Sequence, residues 1–303
     1  YVATNQGGTS NIGQVFVPVN DPVFSVTLPA STGTVGEAYN SAAALISISG
    51  GNAPYSNFSA SGLPGGLSIS STGIISGTPT TAGNATVVIT ATDSSGGLGS
   101  FTGTASASIA IGAPTITMNP ATLSNAGIGV SYGAALTTTG GLAPVTFAVT
   151  AGSLPPGLVL DPGGVISGTP TGGGTYNFTV TATDSATTSG PYTSSRAYAL
   201  TVDAATIVLS PAAGTLPGGT TGIAYSQIIA AADGTAPYSY AITAGALPAG
   251  LTLATNGTLS GTPTATGTFN FTVTGTDSST GQGPYSNSNA YPVTIVTPTL
   301  ALS

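Results

Sequence analysis

Leu247-Pro248-Ala249-Gly250-Leu251, leading through Asn256-Gly257 into Leu259-Ser260-Gly261-Thr262-Pro263-Thr264, is the clearest copy of a stretch that occurs three times in this chain. The second copy is Leu154-Pro155-Pro156-Gly157-Leu158 with Gly164-Val165-Ile166-Ser167-Gly168-Thr169-Pro170-Thr171. The first is Leu63-Pro64-Gly65-Gly66-Leu67 with Gly73-Ile74-Ile75-Ser76-Gly77-Thr78-Pro79-Thr80. Ser-Gly-Thr-Pro thus recurs at 76, 167 and 260, at spacings of 91 and then 93 residues. Self-similarity over such a period makes the chain an array of three units before any local structure is assigned.

Each copy predicts a short strand, a tight turn, a second short strand and a stop. Leu158 and Leu160, like Leu251 and Leu253 or Leu67 and Ile69, are two residues apart, the period of a half-buried strand. Asn256-Gly257, Gly163-Gly164 and Thr72-Gly73 supply positions that tolerate positive φ. The Thr-Pro step forces an extended threonine and removes a ladder donor. A longer strand follows: Tyr176, Phe178, Val180 and Ala182 alternate with polar residues and end at Thr183-Asp184-Ser185. Phe269, Phe271 and Val273 before Thr276-Asp277-Ser278, and Val87, Ile89 and Ala91 before Thr92-Asp93-Ser94, repeat it.

Leu-Pro-x-Gly-Leu, then Gly-x-Ile/Leu-Ser-Gly-Thr-Pro, then an aromatic-valine strand closing on Thr-Asp-Ser resembles the Ig-like (cadherin-like) repeat modules of microbial extracellular and surface proteins. The resemblance covers nearly the whole chain. It implies an all-β fold of three tandem Ig-like/cadherin-like β-sandwich modules in an elongated rod, and a spacer or adhesive role, but no chemistry.

Composition narrows the function classes. The 303 residues include one Arg, no Lys, no His, no Cys and eight acids, for a net charge of −7. Arg196 alone cannot neutralise a run of phosphates, so nucleic acid is excluded as a partner. Without Cys or His there is no thiol or imidazole catalysis, no ordinary zinc site and no disulfide. A lysine isopeptide is excluded as well. At 40 % apolar residues the chain has enough hydrophobicity to fold, with Ser, Thr and Gly covering its surface in place of ions. No run reaches the length of a membrane helix, which argues against membrane insertion. A sequence starting at Tyr1 is compatible with a processed mature chain, and the expected location is extracellular, at the cell surface. With so few titrating groups, similar melting temperatures are expected near pH 3 and pH 7.

The domain assignment is 1–22, an extension with an extra strand; 23–113, 114–204 and 205–297, the three modules; and 298–303, a strand fragment. Gln14 to Val19 resembles the last strand of a module, and Pro298 to Ser303 resembles a first strand. Val15, Phe16, Val17 and Val19, with Leu300 and Leu302, are therefore assembly-strand candidates, able to add to the sheet edge of a neighbouring copy. Head-to-tail contacts of that kind propagate without closing. The expected function is a structural subunit of an extracellular filament or fibre, a homopolymer assembled by strand addition. The alternatives are an adhesin binding a glycan or matrix ligand, and a spacer of a multidomain exoenzyme.

Other candidate positions are few. Asp93, Asp184 and Asp277 invite a calcium reading, but calcium wants six to eight oxygens and each module offers one such carboxylate. An Asx-turn cap explains them better, so no cofactor, metal ligand or catalytic residue is assigned. Tyr39, Tyr132 and Tyr225 recur at one repeat position, as expected of packed corner tyrosines, whereas Tyr55 and Tyr238 follow the Ala-Pro turns. Asn57, Asn84, Asn177, Asn256 and Asn270 stand in Asn-x-Ser/Thr tripeptides, making covalent glycans a candidate partner. Asn256 is also accounted for by its Asn-Gly turn.

Overall fold

The computed structural model describes residues 4–5, 8–9, 20–28, 31–39, 46–96, 100–214 and 216–299. Every regular element among them is a strand, as the period-2 patterning predicts. The chain forms two compact units, Tyr1–Pro114 with Ala186–Pro191, and Thr115–Ser185 with Tyr192–Ser303. The first thus holds the first module, and the second holds most of the other two.

In the second unit the longest pairing joins Gly172–Thr183 to Thr193–Asp203, antiparallel from Gly174 opposite Val202 to Thr183 opposite Thr193. Thr146–Gly152 lines the far edge of Gly172–Thr183, and Ala126–Gly127 runs parallel to the end of Thr193–Asp203. The other layer is Tyr132–Ala135, Val165–Gly168 and Leu158–Leu160 in that order, with a separate pair of Thr117–Asn119 and Thr137–Thr139. The third module repeats this layout, with Gly267–Thr276 and Ser286–Val296 as its long pair and Tyr225–Ile228, Thr258–Gly261 and Leu251–Leu253 as its second layer.

Each core lies between its two layers and is filled by the alternating residues of the strands. Phe178, Val180 and Ala182 meet Tyr132, Leu158, Ile166 and Leu200 in the second module; Phe271 and Val273 meet Tyr225, Leu251, Leu259 and Tyr291 in the third. Arg196, the only cation of the chain, sits within the long pairing opposite Val180, its Nη1 donating to the Ala121 carbonyl at 3.5 Å.

Among the described residues the first module has most of the same parts, with two strands in place of three in its second layer. Ser56–Ser61, Gly83–Thr92, Thr102–Gly112 and Thr32–Thr34 form one sheet, with Leu67–Ile69 pairing Ile75–Gly77 and Ser25–Thr27 pairing Ser47–Ser49. Its core takes Val35, Tyr39, Ile75, Val87, Ile89 and Ile109.

The thrice-repeated stretch is the hairpin expected of it, and its two glycines explain each other. In the second module Gly157 has φ of 90° and Gly168 has φ of 137°. A Cβ on Gly157 would overlap the Thr169 carbonyl oxygen, and one on Gly168 would overlap the carbonyl oxygen of Gly157. Gly66 with Gly77, and Gly250 with Gly261, repeat the arrangement. The reversal between the strands uses one of the two positions able to take positive φ. Only the second position, Gly73, Gly164 or Gly257, is left-handed. In the first two modules the residue opening the turn is tied to the backbone by its side chain: Ser70 Oγ accepts from Ile74 N–H at 3.0 Å and Asp161 Oδ1 from Gly163 N–H at 2.6 Å.

At the start of the chain, Thr4–Asn5 pairs with Gly8–Thr9, a bridge that the sequence reading did not include. Val15, Phe16, Val17, Val19, Leu300 and Leu302 lie outside the described residues.

Candidate functional site

Asp93, Asp184 and Asp277 end the central strands, and all three are buried, at 2 %, 5 % and 4 % exposure. Asp277 Oδ2 accepts from Thr235 N–H at 3.1 Å. Its Oδ1 accepts from Ser279 N–H at 3.2 Å, Ser279 Oγ–H at 2.7 Å and Tyr285 N–H at 2.8 Å. Asp93 repeats the set with Asn52, Ser95 and Phe101. Asp184 accepts from Leu142 N–H at 3.0 Å and Tyr192 N–H at 2.8 Å. The following serine completes the clamp, since Ser94, Ser185 and Ser278 each donate Oγ–H at 3.0 Å to the carbonyl of the residue whose N–H the aspartate holds.

The Asx-turn expectation accounts for the bonds to Ser95 and Ser279. The larger part is long-range, reaching a Gly-x-Ala-Pro turn 41 or 42 residues upstream. Glycine opens that turn because the carboxylate comes so close: a Cβ on Gly51 or Gly234 would stand 2.7 or 2.8 Å from the Asp93 or Asp277 Oδ2. A nearly equal spacing between Gly-x-Ala-Pro and Thr-Asp-Ser, 42 residues from Gly51 to Asp93 and 43 in the other two copies, was the signal for this contact in the sequence.

These hydrogen bonds set the charge state. Asp93 is lowered from its ordinary 3.8 to about 2, first by the Ser95 hydroxyl, with backbone N–H groups of Phe101, Asn52 and Ser95 adding to it against the opposing effect of burial. At Asp277 burial is the largest influence and raises the pKa. The Thr235, Ser279 and Tyr285 donors together outweigh it, so the net shift is downward. A ring of N–H and O–H donors around one carboxylate does not fit a calcium ion, which needs oxygens whose lone pairs are free. Among the described residues no three or more acids gather into a metal-sized group.

The loop that leaves Asp277 joins the third module to the second. In the second unit, Thr280–Gly281 runs parallel to Gly172–Gly173, with Thr280 N–H donating to the Thr171 carbonyl at 2.9 Å and Gln282 N–H to the Gly173 carbonyl at 3.0 Å. Tyr285 of the third module packs on the core of the second. Glycines make the seat: a Cβ on Gly173 would overlap the Tyr285 hydroxyl, and one on Gly172 would stand 3.0 Å from Thr280 Oγ1. A second contact brings Gly129 against Gly234, where a Cβ on Gly129 would lie 2.9 Å from the Gly234 carbonyl oxygen. Within the first unit, Ser189 Oγ accepts from Ala82 N–H at 2.8 Å, at the position equivalent to Gly173 in the repeat.

The tyrosines divide as their repeat positions suggest. Tyr39, Tyr132 and Tyr225 are buried, and the hydroxyls of Tyr132 and Tyr225 donate to the carbonyls of Ser124 at 3.1 Å and Pro217 at 2.9 Å. Tyr55 donates to the Gly50 carbonyl at 2.7 Å, and Tyr238 accepts from Gly234 N–H at 2.9 Å, so both hydroxyls brace their own turns. Asn57, Asn84, Asn177, Asn256 and Asn270 are all exposed. Asn57 has φ of 52° beside a bulge, and Asn256 Oδ1 accepts from Thr258 N–H within its turn.

A family model described as "Putative Ig domain" (He_PIG) matches residues 19–112, 113–203 and 205–297. No curated protein matches the chain. Among solved structures it is similar to the protocadherin gammaB4 extracellular domain (15 % identity, 91 % of this chain and 51 % of that one, TM-score 0.28). It is also similar to mouse cadherin-23 EC22-24 (16 %, 92 % and 100 %, TM-score 0.28). Drosophila N-cadherin EC1-4 is a third such structure (14 %, 91 % and 76 %, TM-score 0.26). The chain thus spans about half the length of the protocadherin structure. Three consecutive family matches, on three copies of one aspartate-clamped sandwich, show that the chain belongs to the He_PIG family of Ig-like domains and is a tandem array of three of them.

Proposed function

We propose that this chain is a structural segment of an extracellular filament or fibre at the cell surface, and that it works by fastening one module to another rather than by chemistry. The observation that carries this reading is the strand bridge from Thr280–Gly281 to Gly172–Gly173. It commits backbone hydrogen bonds and a packed tyrosine to joining two modules, which a flexible tether would not need. The acids support the same reading. Three of the eight are used as clamps inside the modules, which leaves few for a catalytic pair or a bound cation. The reading therefore includes no cofactor and no enzymatic activity.

Assembly with other copies through Val15, Phe16, Val17 and Val19, or Leu300 and Leu302, rests on their apolar β-prone pattern. Electron microscopy of native material tests the whole reading: regular filaments are expected, and isolated particles in every preparation would end it. A chain lacking residues 1–21 should remain folded and monomeric if strand addition drives assembly, and continued polymerisation would remove that step. A chelator should leave both the filaments and the melting temperature unchanged.

A further inference from the structure

Phe178 and Phe271 are core residues, 3 % and 2 % exposed, and each is the middle of an Asn-Phe-Thr tripeptide. The two-residue period of a strand therefore sends Asn177 with Thr179, and Asn270 with Thr272, to the outer face of the long-stranded sheet. Both parts of the acceptor tripeptide are thus displayed together on a folded module. The residues flanking the asparagines on the neighbouring strands are short or compact. Ala199 stands opposite Asn177 on one flanking strand, and Pro292 stands opposite Asn270. On the other flank the edge strand bulges and then ends in Ala151-Gly152 or Ala244-Gly245. Gly152 and Gly245 have φ of 70° and 72°, and a Cβ on either would overlap the carbonyl oxygen of Asn177 or Asn270. Each asparagine consequently lies in a shallow depression, of about 340 Å³ around Asn177 and 310 Å³ around Asn270.

We propose that Asn177 and Asn270 are N-glycosylation sites, with the first sugar seated in these depressions. The donor class is an oligosaccharide activated as a lipid-linked phosphate ester, delivered by a separate transferase. The asparagine side-chain nitrogen forms a bond to the anomeric carbon and gives up one proton. The bond from that carbon to the phosphate oxygen breaks, and its electron pair leaves with the lipid phosphate. A neutral, strongly hydrated saccharide suits a surface that carries almost no ions, because it supplies the water-binding groups that charged side chains supply elsewhere. Asn57 and Asn256 lack this setting, one by its left-handed backbone and the other by its engagement in a turn.

The proposal rests on the extracellular reading above, and peptide mass spectrometry of the chain isolated from its own cells tests it. Peptides containing Asn177 and Asn270 should each carry a mass increment equal to whole sugar residues, while the Asn256 peptide should not. Asn177→Gln and Asn270→Gln, made in the same cells, should each remove one increment and leave the circular dichroism unchanged. Bare asparagines at both positions, or sugar confined to the other three acceptors, would overturn the proposal. Filaments with bare Asn177 and Asn270 would overturn this inference alone, and sugared chains that never assemble would overturn only the filament.

Discussion

Asp277 shows how much of a module's stability can rest on one carboxylate. Truncation to alanine leaves the Thr235, Ser279 and Tyr285 N–H groups without their acceptor in a site only 4 % exposed. Buried donors left unpaired cost about 1–3 kcal/mol each before relaxation, so Asp277→Ala should destabilise the third module by about 3 kcal/mol in a denaturant titration. The same groups make the fold acid-sensitive. Because the folded Asp93 has its pKa depressed to about 2, it stabilises the fold at every pH above its ordinary 3.8, and that contribution disappears as pH falls from there to about 2. Asp277 acts in the same direction. The melting temperature should therefore be level from neutral pH to about pH 4 and lower already at pH 3. This replaces the pH-insensitivity expected from composition, since a count of acids says nothing about where they are buried. Thermal melts at pH 7, 4, 3 and 2 would show the difference.

At the scale of the element, the repeated hairpin was legible because its information is local: alternation, a turn glycine and Thr-Pro are read within a few residues. The clamp was half legible, its Asx-turn being local and its bonds to Asn52, Leu142 and Thr235 lying far upstream. The facing glycines separate two kinds of position. Gly168 has φ of 137° and no room for a Cβ, because the Gly157 carbonyl occupies the space, so Gly168→Ala should cost about 2–4 kcal/mol. Gly133 lies on the neighbouring strand, exposed, with nothing within 4 Å of a Cβ, and Gly133→Ala should instead stabilise by up to about 1 kcal/mol through the unfolded chain. Equal losses at both positions, measured by urea unfolding, would show that the facing pair is not what constrains the hairpin.

For the molecule as a whole, what matters is how far the modules act together. The loop seat at Gly172–Gly173 was not legible in advance, since nothing in the sequence shows that a two-residue segment after Thr276-Asp277-Ser278 reaches back to the preceding module. It does offer a clean perturbation. Gly173 is not left-handed, so a valine fits its strand locally but displaces the Tyr285 hydroxyl. Gly173→Val should leave both cores intact and split a shared calorimetric transition of modules two and three into two.

Arg196 carries one more consequence. It is the only site in 303 residues at which trypsin can cut, and it lies mid-strand, paired with Val180. A protease needs several residues in extended, unpaired form, which here requires the central pairing of the second module to open. Native chain should survive prolonged trypsin treatment. Under partly denaturing conditions it should yield two fragments and no others, ending at Arg196 and beginning at Ala197. The chain thus has a built-in reporter of a single event, the opening of its middle module, readable on a gel without any label.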